Sequence, residues 1–181
     1  MPCLPVHSVD TAPEHSRDAL KSLEARTGKV INIYGEMAHS PAVLNAYMAM
    51  NEAITAHSTL DGSTRQAIAL AVAAVNGCTY CEAAHTVAGR AAGLTDEQML
   101  QIRRGRVEGD DRLAALMRVA REAATAQGEV SGHAWSEALN AGWSDQELAD
   151  AFASLASNMF TNYFNHYVGT ELDLPPAPEA S

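Results

Sequence analysis

Asn76-Gly-Cys-Thr-Tyr-Cys-Glu-Ala-Ala-His-Thr-Val-Ala-Gly-Arg-Ala-Ala92 is the stretch from which the rest of the chain can be read. Asn76-Gly77 is a turn signal placed directly after the apolar run Ala67 to Val75, and good helix formers without proline follow it, so a helix is expected to begin near Cys78. The i, i+3, i+7 spacing of Cys78, Cys81 and His85 puts all three on one helix face. A helix N-terminus, an imidazolium neighbour and Cys-x-x-Cys spacing each lower a cysteine pKa from its usual value of about 8.5, to roughly 3.5–7.5. Residue chemistry alone leaves three readings: a reactive thiol pair, two buried inert cysteines, or a zinc site. A closed zinc site needs four ligands, and the only other cysteine is Cys3, in a segment that reads as disordered. Haem attachment needs a histidine immediately after the second cysteine, where Glu82 stands.

Working outward, every segment reads as helix. Upstream, Asp61-Gly62 breaks a helix that Ser40-Pro41 starts, with serine as cap and proline at the first helical position. Ser63-Thr-Arg-Gln66 fits a capping box opening the alanine-rich helix to Val75. Glu14 to Thr27 is a first helix closed by Gly28. Downstream, Thr95-Asp-Glu-Gln98 is a second capping box, for a helix stopped by Gly105, and Asp110 to Gln127 is amphipathic. Ser131 to Ala141 is a further helix. Ser144-Asp-Gln-Glu147 opens the longest one, to about Tyr167, with Leu148, Phe152, Leu155, Met159, Phe160 and Phe164 expected to face inward. No segment alternates with a period of two, so the fold class is all-α: one helical domain over residues 13–170, an extended arm over 1–12 and a mobile proline-rich tail over 171–181.

With 181 residues, 47% of them hydrophobic, the chain can bury one substantial core. A net charge of −10, from 22 acidic against 12 basic residues, argues against nucleic acid or an anionic membrane surface as partner. The N-terminus lacks the charged and apolar regions of a signal peptide, and no run of about 18 apolar residues occurs, so a cytoplasmic location is expected. There, a close cysteine pair is more often catalytic than structural.

Ala91-Ala-Gly-Leu-Thr-Asp-Glu-Gln-Met-Leu100 is similar to Asn140-Ala-Gly-Trp-Ser-Asp-Gln-Glu-Leu-Ala149, which points to two related helical halves of which only the first carries the thiols. With these residues in view, the chain resembles the alkylhydroperoxidase D-like members of the carboxymuconolactone decarboxylase superfamily. The family motif is an acidic residue, eleven intervening residues, Cys-x-x-Cys, three residues and His. Here it reads Gln66, Ala67 to Gly77, Cys78-Thr-Tyr-Cys81, Glu-Ala-Ala, His85, and the flanking His39-Ser-Pro41, Ala92-Gly-Leu-Thr95 and Asn165-His166 are also similar.

The resemblance implies a helical bundle and a cofactor-free thiol peroxidase acting on hydrogen or alkyl hydroperoxides. It implies Cys81 as the attacking thiol, Cys78 as resolving thiol and proton donor, His85 as base or relay, and an external dithiol reductant such as a lipoyl group or thioredoxin-like protein. It also implies a trimer or hexamer, with the thiols near a subunit boundary. Placement along the helix makes Cys78 the more exposed sulfur. The departure is Gln66, where the family often has glutamate: an amide cannot carry a proton as a carboxylate does, so Gln66 either orients His85 or only caps with Ser63. His166 is a candidate cleft-lining residue, whereas His7, His15, His57 and His133 read as solvated. A dithiol oxidoreductase with little peroxide turnover and a redox-sensing oligomer are the alternatives.

Overall fold

The computed structural model describes residues 2–180. Among these, nine helices follow one another without a strand: α1 (Glu14–Thr27), α2 (Asn32–Met37), α3 (Pro41–His57), α4 (Gly62–Asn76), α5 (Thr79–Ala91), α6 (Asp96–Arg104), α7 (Asp111–Thr125), α8 (Gly132–Asn140) and α9 (Asp145–Val168). Among the described residues no helix is long and apolar enough to cross a membrane.

The helix starts follow local chemistry. Ser40 caps α3 through Val43 N–H ahead of Pro41, and Thr95 with Gln98 and Ser144 with Glu147 form complete capping boxes for α6 and α9. At α4 the expected Ser63–Gln66 box is replaced. Asp61 is the cap, taking Thr64 N–H at 2.7 Å, while the Ser63 hydroxyl donates to Asp61 at 2.8 Å. A carboxylate two residues earlier accepts both donors, so Ser63 has no cap to make and Gln66 is released for another partner.

Helix α4 is the axis of the molecule. Its run Ala67 to Ala73 is buried all round, which only a central helix can be, and α5, α6, α7 and α9 pack against it. Around it lies a core of Ile68, Leu70, Val72, Ile102, Leu116, Met117, Leu148 and Leu155. A second cluster joins α1–α3 to the start of α5, with Leu20, Leu23, Met37 and Leu44 against Tyr80 and both site cysteines. The short α2, which the sequence pattern did not announce, fits there by close approach: a Cβ on Gly35 would come within 2.6 Å of the His7 carbonyl oxygen.

Two further expectations fail. Phe152 is 61% exposed instead of facing inward, because the buried side of α9 is largely polar. The terminal segments are laid down on the domain. Cys3 N–H donates to Val168, and Asp173 accepts from Tyr80 Oη at 2.8 Å, Lys29 Nζ at 2.9 Å and Asn32 N–H at 3.3 Å. Leu174 joins the second core cluster, and Arg103 donates to the Pro178 carbonyl. Proline richness set the expectation of mobility; one carboxylate with three donors and one half-buried leucine hold the segment to the domain instead.

Candidate functional site

The site is assembled where α5 begins. Gly77, with a φ of 63°, closes α4 in the left-handed conformation and turns the chain, so that Cys78 becomes the cap of α5. Cys78 Sγ accepts the backbone N–H of Cys81 at 3.3 Å, a contact a side-chain oxygen usually makes and one that favours a thiolate. Cys78 and Cys81 are both free thiols and each is 2% exposed, so the expected difference in exposure is absent: together with Tyr80 they are packed under α1, α2 and the C-terminal segment, while Thr79 between them faces out. The sulfurs differ in outlook. Cys81, with Ala84 and His85, lines a cavity of about 500 Å³, whereas Cys78 does not.

That cavity runs between α1, α2, α3 and α5, walled by Ile31, Ile33, Tyr34, Tyr47, Val87 and Leu174, with Arg26 and Lys29 towards its edge. Tyr34 and Tyr47 pair through their hydroxyls at 3.2 Å, and burial pushes the Tyr47 phenol well up, so it stays protonated. A second, polar cavity of about 170 Å³ lies beyond His85, bordered by Ser154, Ser157, Asn158 and Thr161. Gln66 and His85 border both.

Gln66 and His85 meet at 2.8 Å, Oε1 to Nδ1. The amide oxygen can only accept, so Nδ1 carries the proton and Nε2 is left as the acceptor. Of the two roles open to Gln66, orienting His85 is the one this geometry contains. Burial holds the imidazole neutral, with its pKa lowered to about 4, against a weaker opposing contact with Asn158. A carboxylate in place of Gln66 would hold the charged form and raise that value.

The thiols behave as a pair sharing one proton. Hydrogen bonding from Cys81 is the main influence lowering the Cys78 pKa, ahead of burial, which opposes it. The same bond, with burial, raises Cys81. Cys78 is therefore the thiol that ionises first; once it has, the two sulfurs share the remaining proton, and a hop of that proton charges the sulfur facing the cavity.

Asn165 joins them from α9. Its Nδ2 lies 3.1 Å from Cys81 Sγ and 3.7 Å from Cys78 Sγ. His166, the residue expected to line the cleft, is exposed and turned away, with Nε2 3.1 Å from the Asn76 carbonyl. One helical step of 100° separates the two, and it is the asparagine that points inward. The signal was present in the sequence: Ser154, Ser157, Asn158, Thr161, Asn162 and Asn165 recur every three or four residues and are all buried, a polar stripe along α9 that an apolar search passes over. A buried ion pair, Arg103 Nη2 to Glu82 Oε2 at 2.8 Å, fixes the first turn of α5 to α6. Among the described residues no three His, Cys, Asp or Glu side chains are placed to share a metal ion.

Comparison with known proteins sets this geometry in context. Residues 41–126 match the carboxymuconolactone decarboxylase family. The "uncharacterized protein 4 in cox locus" of Paracoccus denitrificans is 35% identical over 68 residues, which are 37% of this chain and 61% of that relative. The match thus spans under two thirds of that relative's length. In structure, the chain is similar to an alkylhydroperoxidase AhpD core, an uncharacterized peroxidase-related protein from Ralstonia eutropha JMP134, at a TM-score of 0.84 and 22% identity, over 95% of this chain and 92% of the other. A debrominase solved in complex with 2,3,4-tribromopyrrole aligns at a TM-score of 0.80 and 15% identity, over 94% and 91%. At these identities the shared property is the fold.

Proposed function

We propose that this chain, which belongs to the carboxymuconolactone decarboxylase superfamily and has its alkylhydroperoxidase D-like fold, is a thiol peroxidase that reduces organic hydroperoxides through Cys81 and Cys78. The observation that carries this reading is the Cys81 sulfur, buried with a partner thiol yet facing an apolar-walled cavity of about 500 Å³. That volume suits an organic body more than hydrogen peroxide alone.

The cycle balances on the two sulfurs. The shared proton moves from Cys81 to Cys78, and the Cys81 thiolate attacks the outer oxygen of ROOH. The O–O bond breaks, leaving Cys81 as a sulfenic acid and RO⁻, which takes the proton from Cys78 and departs as ROH. The regenerated Cys78 thiolate attacks Cys81 Sγ and expels hydroxide, which takes a proton from solvent, and a disulfide remains. A dithiol of the lipoyl or thioredoxin-like class returns both thiols by exchange. His85, neutral and oriented by Gln66, offers Nε2 as a proton acceptor along this route. A cytoplasmic setting accords with a pair that must be re-reduced.

The exposed aromatic stripe of α9, Phe152, Tyr163 and Tyr167, together with Trp135 and Leu139 of α8, is the surface through which copies of this chain would associate. Light scattering at micromolar concentration should give a multiple of 19.2 kDa; a monomer mass overturns the oligomer.

The deciding assay follows peroxide consumption by the natural chain with dihydrolipoamide or a thioredoxin-like protein, using hydrogen peroxide, alkyl hydroperoxides and 2,3,4-tribromopyrrole. Many turnovers of alkyl hydroperoxide per protein are expected. Consumption of one equivalent and no more points to a redox sensor, and turnover of the bromopyrrole alone points to reductive dehalogenation.

A further inference from the structure

The mechanism so far leaves two buried amides of α9 beside Cys81 unused, Asn162 and Asn165, and of these Asn165 borders the cavity. Asn165 is 5% exposed, borders the cavity that Cys81 faces, and stands with one end of its amide on the sulfurs. Nitrogen carries two hydrogens: one is directed to Cys81 at 3.1 Å, and the other lies towards Cys78 at 3.7 Å. The other end, Oδ1, is buried without any hydrogen-bond partner. A buried amide oxygen with no partner is costly and calls for a reason. The backbone of Asn165 is separately employed, since its carbonyl accepts from Gly169 and Thr170. The helix end therefore does not require the side chain.

We infer that Asn165 is a catalytic residue of the thiol site, its N–H group holding the negative charge on Cys81 and its Oδ1 accepting the O–H of a neutral organic hydroperoxide that lies in the cavity with its body against Tyr34 and Tyr47. The inference rests on the peroxidase reading for its substrate half only. A hydroperoxide is one donor and two acceptors, and the single acceptor that Asn165 presents matches that donor. Bound this way, the outer oxygen, which carries the hydrogen, is held beside the sulfur that attacks it, and the alkyl group is directed away into the apolar part of the cavity. The N–H contact strengthens as the proton leaves Cys81, because a thiolate accepts better than a thiol. The hydrogen bond to Cys78 and the burial that together raise the Cys81 pKa are thereby opposed at the moment of attack.

The test uses Asn165→Ala, Asn165→Ser and Asn165→Asp in the full chain, with two readouts. The first is site-resolved alkylation of Cys81 by iodoacetamide against pH, read by mass spectrometry, which needs no peroxidase activity. Asn165→Ala should slow Cys81 alkylation at neutral pH by about ten- to a hundredfold, the factor carried by one hydrogen bond to a charged group. Asn165→Asp, which keeps an acceptor but removes the donor and adds charge, should slow it further. Asn165→Ser, which restores a small donor, should recover part of the loss. The second readout is turnover of an alkyl hydroperoxide, where Asn165→Ala should lower kcat/KM more than the alkylation rate and Asn165→Ser should recover part of it. A merely packing role lowers the melting temperature and leaves the Cys81 pH profile in place. An unchanged profile in Asn165→Ser and Asn165→Asp overturns the sulfur half, and equal losses in alkylation and kcat/KM overturn the substrate half. No turnover in the natural chain fails the peroxidase reading itself and, with it, the substrate half, while the alkylation profile still decides the contact to sulfur.

Discussion

Helices α4–α6 and α7–α9 repeat each other at a spacing of 49 residues: Gly62 and Asp111 open the first pair, Asn76 and Thr125 close it, Ala91 and Asn140 end the second, and Asp96 and Asp145 begin the third. The caps correspond too, Asp61 with Asp110 and Thr95 with Ser144. Besides the third helix, which is 9 residues long in the first half and 24 in the second, the halves part at one place. Helix α5 begins at Thr79, directly after Gly77 and its cap Cys78, whereas α8 waits for Ser131 as cap and begins only at Gly132. In the second half the chain passes through Gln127 and Gly128, both with positive φ, where the first half winds the extra turn holding Cys78 and Cys81. Gln66 and His85 correspond to Ala115 and Ala134, and Ala134 is fully buried among core residues. A scaffold used twice thus carries the thiol pair once. The second copy spends those positions on packing; the first spends them on a polar pair beside a cavity, and the dispensable turn on thiols.

The sharpest way to break this contrast is at the sulfurs. Cys81→Ser should abolish reaction with peroxide, because serine is a far poorer nucleophile. Cys78→Ser should react once and leave a sulfenic acid on Cys81, trapped by dimedone and seen by mass spectrometry, which excess peroxide drives to sulfinic acid. Adducts on Cys78 in Cys81→Ser, and none on Cys81 in Cys78→Ser, would show the roles reversed.

Next in size is the polar pair. Gln66→Glu should raise the pKa of His85, increase peroxidase turnover and bring its pH optimum closer to neutral, since a carboxylate supports the proton that an amide does not. An identical pH–rate profile in the variant would remove Gln66 from the relay.

The same histidine makes stability depend on pH. Its folded pKa of about 4 lies below its ordinary 6.5, so the unfolded chain takes the proton first. Its contribution is fully present above pH 6.5 and declines as pH falls towards 4. Thermal melts of the natural chain should fall through that window more steeply than those of His85→Gln; parallel curves would show that His85 is solvated in the folded state.

The smallest expected effects separate scaffold from site. Asp61→Ala and Asp110→Ala each remove one cap, to Thr64 and to Leu113, and each should cost about 1 kcal/mol in urea denaturation. Only Asp61→Ala should also lower turnover, because the first turns of α4 carry Gln66. Equal activity loss in both would mean that the two halves are coupled through stability alone.

The sequence by itself determined every helix but α2 and the place of the turn that carries the thiols. Ser40-Pro41, Thr95 with Gln98, Ser144 with Glu147, and the closing glycines 28 and 105 act within three or four residues, so their hydrogen bonds can be read from spacing. Cys78, Cys81 and His85 are legible for the same reason, as they share one helix face. Local rules became ambiguous at α4, where Asp61 and Ser63 could each cap, and the carboxylate with the larger accepting capacity took the place. What only the tertiary structure decided lies far apart in the chain. Asn165 reaches Cys81 across 84 residues, Tyr80 reaches Asp173 across 93, and Gln66 reaches His85 across 19. The polar stripe of α9 includes Asn165 and leaves out His166, but no periodicity encodes that this stripe meets the start of α5 or that Leu174 stands in a cavity wall. Those choices follow from packing α1–α3 and the C-terminal segment over the start of α5, which buries both thiols alike and leaves the cavity face to Cys81.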